Sequence, residues 1–245
     1  MWHCERALIL CFFSGHTRES FDNLTKPFFD TVEEIGIPYQ KAENITYYSA
    51  FFPSYRDAWG KTPFPLGTAT SLPGNPLLPK SLWATGTSFE ALWDTIVAHV
   101  EAGRNFGIYH QVPGNKQNVD NAVSSAWRNA QSFFITSSPV FATDASAEVI
   151  GQANRVLNEE ILQPWRDLAP ADQGGGSYLN EAAIDEPNWK EDFYGEQYSR
   201  LVSIKKRYDP RGVFYATTAI GSDEWEIRGP KLGVTMQNGR LCRVQ

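Results

Sequence analysis

Cysteine and histidine are both scarce in this 245-residue sequence. The three cysteines are Cys4, Cys11 and Cys242. An odd, sparse set without a C-x-x-C pair excludes a disulfide framework and gives no zinc-ligand spacing. The four histidines are His3, His16, His99 and His110. They include no His-x-x-x-His pair, so the sequence predicts no metal site.

A basic surplus and long apolar runs are also missing. The chain carries 22 Lys and Arg against 28 Asp and Glu, with a net charge of −6 and a pI near 5.3. Proteins that bind nucleic acid usually have the opposite balance, so we predict no nucleic-acid partner. No apolar run approaches the roughly 20 residues that cross a bilayer, so we predict no membrane partner. The length allows one large domain or two small ones.

A short apolar stretch lies near the start of the chain, at residues 7–13 behind Arg6. One interpretation is the core of a signal peptide, but the stretch is short and no A-x-A-like cleavage site follows. The other interpretation is a buried strand, which the pattern favours. The sequence therefore favours a cytoplasmic chain slightly over a secreted one.

The remaining patterns predict helices and strands in mixed order. Apolar residues at helical spacing predict helices at residues 21–35, 88–102, 145–163 and 188–209, with Gly195 as a weak point. Aromatic and β-branched runs predict strands at residues 37–40, 106–112, 122–136 and 212–220. The proline-rich residues 62–79 predict a loop. Without strict βαβ alternation, the fold class is α+β, an antiparallel sheet covered by helices.

Two predicted strands carry candidate pocket residues. Tyr109 and His110 are neighbours, so on a strand they face opposite sides and one of them can face a pocket. Trp127 and Arg128 lie in the middle of the predicted strand 122–136. A buried arginine requires a partner, so Arg128 is either a sheet-edge or surface residue or a contact for an anion or cofactor.

A glycine-rich loop, "QGGGS" at residues 173–177, precedes the most informative polar pair. It lacks the Gly-Lys-Ser or Gly-Lys-Thr of a P-loop, so a hinge is favoured over a phosphate cradle. Tyr178 and Asn180 are two residues apart and share one side of an extended segment. A phenol beside a carboxamide can hydrogen-bond a planar heterocycle or a substrate hydroxyl, or simply support the loop. Glu181, Asp185 and Glu186 fit a solvated acidic patch better than a calcium site.

This last part of the chain resembles a known family. Residues 176–225, "GSYLNEAAIDEPNWKEDFYGEQYSRLVSIKKRYDPRGVFYATTAIGSDEW", followed by "NGRLCRV", are similar to the C-terminal segment of fungal berberine-bridge-enzyme-like oxidases. "NAVSSAWRNAQSFFIT" looks like the family's "PAWR" strand, and "FDNLTKPFFDTVEEIGIPYQ" looks like the start of its substrate domain. The similarity runs from about residue 20 to residue 244.

The resemblance implies an FAD-linked oxidoreductase of the vanillyl-alcohol-oxidase type. Such enzymes move hydride from an alcohol or amine carbon to flavin, here from a small aromatic or alicyclic substrate in fungal alkaloid or polyketide biosynthesis. It implies that Tyr178 is catalytic and that Tyr178 and Asn180 approach the flavin. The substrate-pocket candidates are Tyr109, His110, Trp127 and Arg128. In the family, the substrate domain is an antiparallel sheet backed by helices.

The chain also departs from the family pattern. We expect residues 1–19 to be a remnant or aberrant start, 20–170 the substrate-binding domain and 171–245 the berberine-bridge-like segment, with the FAD-binding domain missing. Ser125 replaces the proline of "PAWR", and Ala183 replaces a frequent aspartate. The isolated chain is then expected to be inactive and not to retain FAD, and its partner is a missing FAD domain or an intact oxidase. The alternatives are an incomplete gene model of an active oxidase and a non-catalytic subunit that binds a small molecule.

Overall fold

The computed structural model describes residues 15–39, 46–58, 70–110, 119–229, 235 and 239–244. The chain divides into two compact units, Met1–Phe64 and Pro65–Gln245. The apolar stretch 7–13, with the signal-peptide and buried-strand interpretations, lies outside the described residues, as do Cys4 and Cys11. None of the described helices is both long and apolar enough to cross a bilayer.

The first unit contains helices α1 (Arg18–Glu34) and α2 (Phe51–Ala58). The predicted helix at 21–35 is confirmed and begins earlier, because Thr17 and Ser20 form a capping box at its start. The predicted strand at 37–40 is wrong for its described residues 37–39. Tyr39 instead folds back onto α1, where its ring stacks on Phe29 at 5.3 Å and its hydroxyl donates to Glu33 at 2.6 Å.

The second unit is built on an antiparallel sheet, which confirms the predicted α+β class. Its strands are β1 (Pro73–Gly74), β2 (Pro76–Pro79), β3 (Gly107–His110), β4 (Ala130–Ser137) and β5 (Gly176–Ser177). β4 is central, with β3 along one edge and β1 and β2 in succession along the other. β5 pairs with β2, so residues after the predicted boundary at 170 complete the same sheet.

The interpretation of residues 62–79 as a loop is wrong for 73–79, which form β1 and β2. Proline has no N–H to donate to a neighbouring strand, so the prolines in this segment indicated a loop. Leu77 and Leu78 pair with Phe133 and Ser132 of β4, and both leucines are 0% exposed. The free energy gained by burying two leucines on opposite faces of the sheet therefore exceeds the cost of the hydrogen bonds that the prolines cannot donate.

Helices cover the sheet and the segments beside it. They are α3 (Thr87–Glu101), α4 (Ser125–Asn129), α5 (Ala147–Arg155), a π-helical turn (Val156–Ile161), α6 (Gln163–Leu168), α7 (Trp189–Tyr194) and α8 (Tyr198–Tyr208). The predicted helices at 88–102, 145–163 and 188–209 are thus confirmed, although the last two are interrupted. Gly195, with φ of 55°, separates α7 from α8 at the predicted weak point.

Two further predicted strands need correction. Residues 125–129 of the predicted strand 122–136 form helix α4, because the Ser124 hydroxyl caps a turn by accepting from the Ala126 N–H. Residues 212–220 form turns rather than a strand. The carboxylate of Asp209 accepts hydrogen bonds from the Val213 and Phe214 N–H groups, so those donors are used locally. A separate two-stranded sheet, β6 (Trp225–Arg228) and β7 (Arg240–Arg243), follows.

The two faces of the main sheet bury different clusters. One face holds Leu78, Leu92, Phe134 and Trp165, packed under α3 and α6. His99 is 2% exposed in this cluster, where its Nδ1 accepts from Trp165 Nε1 at 3.3 Å. Burial lowers the pKa of His99, so its imidazole is a neutral core group. The opposite face holds a second cluster around Leu77, described below.

Gly175 offers a sharp test of the close approach between β5 and α6. A Cβ at Gly175 would lie 1.7 Å from the Ala169 carbonyl oxygen, a backbone atom. We expect Gly175→Ala to lower the free energy of unfolding by about 3 kcal/mol. Gly107→Ala is the matched control, since its Cβ would meet only a Tyr109 ring atom at 3.9 Å. Urea denaturation of both variants checks this, and equal stabilities would contradict the packing described.

Candidate functional site

An aromatic face lies on the side of the sheet opposite His99. We call Tyr109, Trp127, Phe133 and Tyr178 the aromatic face. The Tyr109 ring stacks on Phe133 with centroids 4.8 Å apart and planes 9° apart. Trp127 meets Phe133 edge-on at 5.6 Å and Tyr178 edge-on at 5.1 Å. Tyr109 is 49% exposed, so the face combines a packed base on Leu77, Ala126 and Ala130 with an open ring surface.

Tyr178 is fixed at three points. Its backbone N–H donates to Asn75, 3.2 Å from the carbonyl oxygen and 3.3 Å from Oδ1. Its ring packs on Trp127, and its hydroxyl accepts a 2.9 Å hydrogen bond from Asn180 Nδ2. The structure therefore brings Tyr178 and Asn180 together as predicted, but across a turn rather than along an extended segment, since the Glu181 N–H donates to the Tyr178 carbonyl oxygen at 2.9 Å. Asn180 donates to a lone pair of the phenol oxygen, so the phenol O–H remains able to donate its proton to a third group.

The strand pattern also separates two candidates. His110 follows Tyr109 on β3 and faces the other side of the sheet, where it meets Trp83 edge-on at 4.6 Å. Burial lowers the pKa of His110. The alternation of side chains is confirmed, and the structure does not bring His110 to the aromatic face.

Trp127 and Arg128 stand on helix α4, so the prediction that they lie on the sheet is wrong. A single helical turn just before β4 is enough to place the Trp127 ring over Phe133. Arg128 is half-buried, and its Nη2 donates to Asn121 Oδ1 at 3.2 Å. Arg128 therefore lies neither at a sheet edge nor in the middle of a strand, because a helical turn capped by Ser124 stands where the strand was predicted.

Sequence reasoning missed Phe133 and Asn75. Phe133 pairs with Tyr109 across β3 and β4, a register that an antiparallel alignment of the two predicted strands would have revealed. Asn75 is 0% exposed between β1 and β2, in the segment interpreted as a loop, and no local signal identifies it. Among the described groups, its Nδ2 atom has no hydrogen-bond partner.

The glycine-rich loop packs tightly against its surroundings. Besides the approach of Gly175 to Ala169, a Cβ at Gly176 would lie 2.7 Å from the Asp192 carbonyl oxygen. The N–H groups of Gly174 and Gly175 donate to Ala171 and Pro170. These donors are therefore used within the chain, and the loop does not fit a pyrophosphate. The aromatic face and the Tyr178–Asn180 pair fit a flat ring such as isoalloxazine.

A buried charge cluster lies behind this loop, and it corrects the interpretation of Glu186 as part of a solvated patch. Glu186 is 3% exposed and accepts from Arg166 Nε at 2.5 Å. Arg166 also donates to Asn158, from Nη1 to the carbonyl oxygen at 2.7 Å and from Nη2 to Oδ1 at 2.9 Å. Asp192 is 7% exposed and hydrogen-bonds Glu186, but receives none of these arginine donors.

The unequal sharing of Arg166 separates the two carboxyl groups chemically. Burial, then the nearby charge of Glu186, raises the pKa of Asp192 to about 7, although Arg166 acts in the opposite direction. Asp192 therefore keeps its proton until the pH approaches about 7. The ion pair joins α6 to the segment that precedes α7, and α7 packs on β5, so the cluster supports the segment that carries Tyr178.

Comparison with known proteins agrees with this geometry. A family model described as "Berberine and berberine like" matches residues 177–221, which include Tyr178, Asn180 and Asp192. The chain is 33% identical to a VAO-type flavoprotein oxidase, VAO615, of Thermothelomyces thermophilus over 236 residues. It is 32% identical to an FAD-linked oxidoreductase, patO, of Aspergillus clavatus over 233 residues. Each alignment covers 94% of this chain.

The fold agrees as well. The crystal structure of the VAO-type flavoprotein MtVAO615 from Myceliophthora thermophila C1 matches with a TM-score of 0.74 at 29% identity, over 94% of this chain and 40% of that one. The chain spans 38% and 37% of the lengths of the two curated relatives. Family motif, sequence identity and fold all agree, so residues 177–221 belong to the berberine and berberine-like family, and the chain corresponds to one part of the fungal FAD-linked oxidoreductases of the vanillyl-alcohol-oxidase type.

Proposed function

We propose that this chain supplies the substrate-facing part of a flavin-dependent oxidoreductase site. The substrate is a small aromatic or alicyclic alcohol or amine of fungal secondary metabolism. The observation that carries the proposal is the 2.9 Å hydrogen bond from Asn180 to the Tyr178 hydroxyl at the edge of the aromatic face. It joins a proton-transferring group to a surface that can orient a flat ring.

Each residue then has a distinct role. Tyr109 and Trp127 contact the flat body of the substrate, since one is half-exposed and both pack on Phe133. After its own phenol proton has passed to solvent, the Tyr178 oxygen takes the proton of the substrate's hydroxyl or amine, and Asn180 holds that oxygen in place. FAD, when bound, accepts the hydride. His110 has no role here, because it lies on the other face of the sheet.

The proposal also concerns partners. The described residues fit the ring of FAD but not its pyrophosphate, because the glycine N–H groups are already used. We expect the isolated chain to bind FAD weakly and not to turn over, and to need an FAD-binding region or an intact oxidase. A second candidate is a non-catalytic subunit that binds a small aromatic molecule. The open ring surface of Tyr109 supports this alternative equally well.

Lumiflavin, which has the flavin ring without ribityl phosphate, tests the fit directly. We expect the purified chain to quench lumiflavin fluorescence and to bind FAD no more than about tenfold more tightly. Trp127→Ala should abolish quenching, because it removes the ring that supports Tyr178. Tyr208→Ala is the matched control, since Tyr208 is 77% exposed on α8 and lies outside the aromatic face.

The outcomes separate the candidates. An FAD chromophore that survives gel filtration with the isolated chain would contradict the expected need for a second flavin-binding part. No quenching by the wild-type chain would contradict the aromatic face as a flavin contact. Binding of aromatic alcohols that Trp127→Ala abolishes, without any lumiflavin binding, would favour the non-catalytic subunit.

A further inference from the structure

A cleft of about 310 Å³ opens elsewhere in the second unit and shares no residue with the aromatic face. Three short segments line it, one before α7, one in the turns at 215–218 and one leading into β6. Its aromatic residues are Trp189, Tyr215 and Trp225, and its carboxylates are Asp185, Glu186 and Asp223. Its volume lies at the lower end of the range for small-molecule sites.

The two tryptophans of the cleft are held in place. Trp225 lies against Gly212, where a Cβ would come within 2.8 Å of the indole, and the Arg243 guanidinium lies 5.1 Å from its ring centroid. Trp189 meets Tyr198 edge-on at 5.5 Å, and Lys190 Nζ lies 5.6 Å from its centroid. Fixed rings lose little entropy when a ligand binds, so the site is pre-organised.

The three carboxylates of the cleft differ in their partners. Glu186 is paired with Arg166, and Asp223 with Lys190 at 2.7 Å. Asp185 accepts only a neutral hydrogen bond, from Asn154 Nδ2 at 2.7 Å, and within the described part of the chain no cation pairs with it. Asp185 is therefore the carboxylate whose charge is left for a ligand.

The cleft wall also contains a hydroxyl group without a hydrogen-bond partner in the described part of the chain. Thr217 lines the cleft, and its buried Oγ1 atom has no hydrogen-bond partner among the described atoms. A buried hydroxyl without a partner destabilises the fold, so a ligand that donates a hydrogen bond to it relieves part of that cost. A hydroxyl oxygen accepts from N–H donors, as a carboxylate does.

We infer that this cleft binds a small organic ammonium ion. Asp185 neutralises the ammonium group, Thr217 accepts one of its N–H groups, and the rings of Trp189, Tyr215 and Trp225 cover its carbon body. Neither the family relation nor the proposed oxidation predicts this site, and the inference does not depend on either. An uncharged molecule of the same shape would gain the ring contacts but not the contribution of Asp185.

Benzylammonium and benzyl alcohol are the paired probes, because they share a ring and differ in charge. We expect benzylammonium to shift the indole N–H resonances of Trp189 and Trp225 and not that of Trp127, in NMR spectra of the tryptophan-labelled chain. Benzyl alcohol should bind about fivefold more weakly. Asp185→Asn should weaken benzylammonium by about the same factor, since asparagine keeps an acceptor for Asn154.

Asp172→Asn is the control, since Asp172 is exposed in a 3₁₀ turn and does not line the cleft. Unchanged affinity in Asp172→Asn, together with the loss in Asp185→Asn, supports the inference. Equal affinity for the two probes overturns it, as does a shift confined to Trp127. If Asp185→Asn fails to fold, the comparison of the two probes on the wild-type chain still decides.

Discussion

Asp192→Asn is expected to stabilise the chain at pH 8 by about 4 kcal/mol and to leave its stability at pH 4 nearly unchanged. The reason is the buried charge cluster, in which Glu186 takes the Arg166 hydrogen bond and Asp192 lacks one. Asparagine can donate a hydrogen bond to Glu186, as the protonated Asp192 does, and it never ionises. Urea denaturation between pH 4 and pH 8.5 measures the effect.

The sign follows from the direction of the pKa shift. The pKa of Asp192 is raised from 3.8 to about 7 in the folded chain, so between these values the folded state holds a proton that the unfolded state has lost. Its stabilising contribution is complete below pH 3.8 and is lost as pH rises through about 7. His99 has the opposite dependence, since its pKa is lowered and its contribution falls as pH drops below 6.5. His99 is present in both the wild-type chain and Asp192→Asn, so its contribution cancels when their free energies of unfolding are subtracted.

Two further variants make the result specific. Glu191→Gln removes an exposed neighbouring carboxylate and should change the pH dependence only slightly. Arg166→Met leaves Glu186 buried without its cation and should lower the free energy of unfolding by about 3–5 kcal/mol. A wild-type chain whose stability is constant from pH 5 to pH 8 would contradict the proton on Asp192.

The elements α4 and β2, which were not predicted, show that the sequence pattern reveals local structure better than long-range pairing. Periodic apolar residues identified α3 and α8 because the signal lies within one helix. Helix α4 has only five residues and depends on a cap at Ser124, so the aromatic run that follows it suggested one long strand. β2 carries prolines that argue against a strand, and only its long-range pairing with β4 explains it. The missed elements therefore depend on contacts between distant segments.

The candidate site divides in the same way. The proximity of Tyr178 and Asn180 and the alternation of Tyr109 and His110 are local properties, and both could be predicted from the sequence, although the first arises from a turn rather than an extended segment. Asn75 lies 103 positions before Tyr178, and no local pattern connects the two. The pairing of Glu186 with Arg166 likewise joins different segments, so an acidic run was interpreted as solvated.

Tyr178→Phe is expected to slow substrate oxidation about 100-fold or more in an assembly of this chain with an FAD-binding region. The substitution keeps the ring contacts with Trp127 and Phe133 and removes only the phenol oxygen, which would take the substrate proton after losing its own to solvent. We expect KM to change less than about threefold, because the aromatic face that orients the substrate remains. Steady-state kinetics with an aromatic alcohol substrate measures both quantities.

Asn180 distinguishes proton transfer from a merely structural role of the phenol. Asn180→Ala removes the 2.9 Å hydrogen bond but keeps the hydroxyl, so we expect only about a fivefold loss of kcat. Tyr208→Phe removes an exposed hydroxyl on α8 and should change nothing. Equal losses for Tyr178→Phe and Asn180→Ala would mean that the pair only supports the loop. Loss in KM alone would make Tyr178 a binding residue, because an interaction made equally in ground and transition states leaves kcat unchanged.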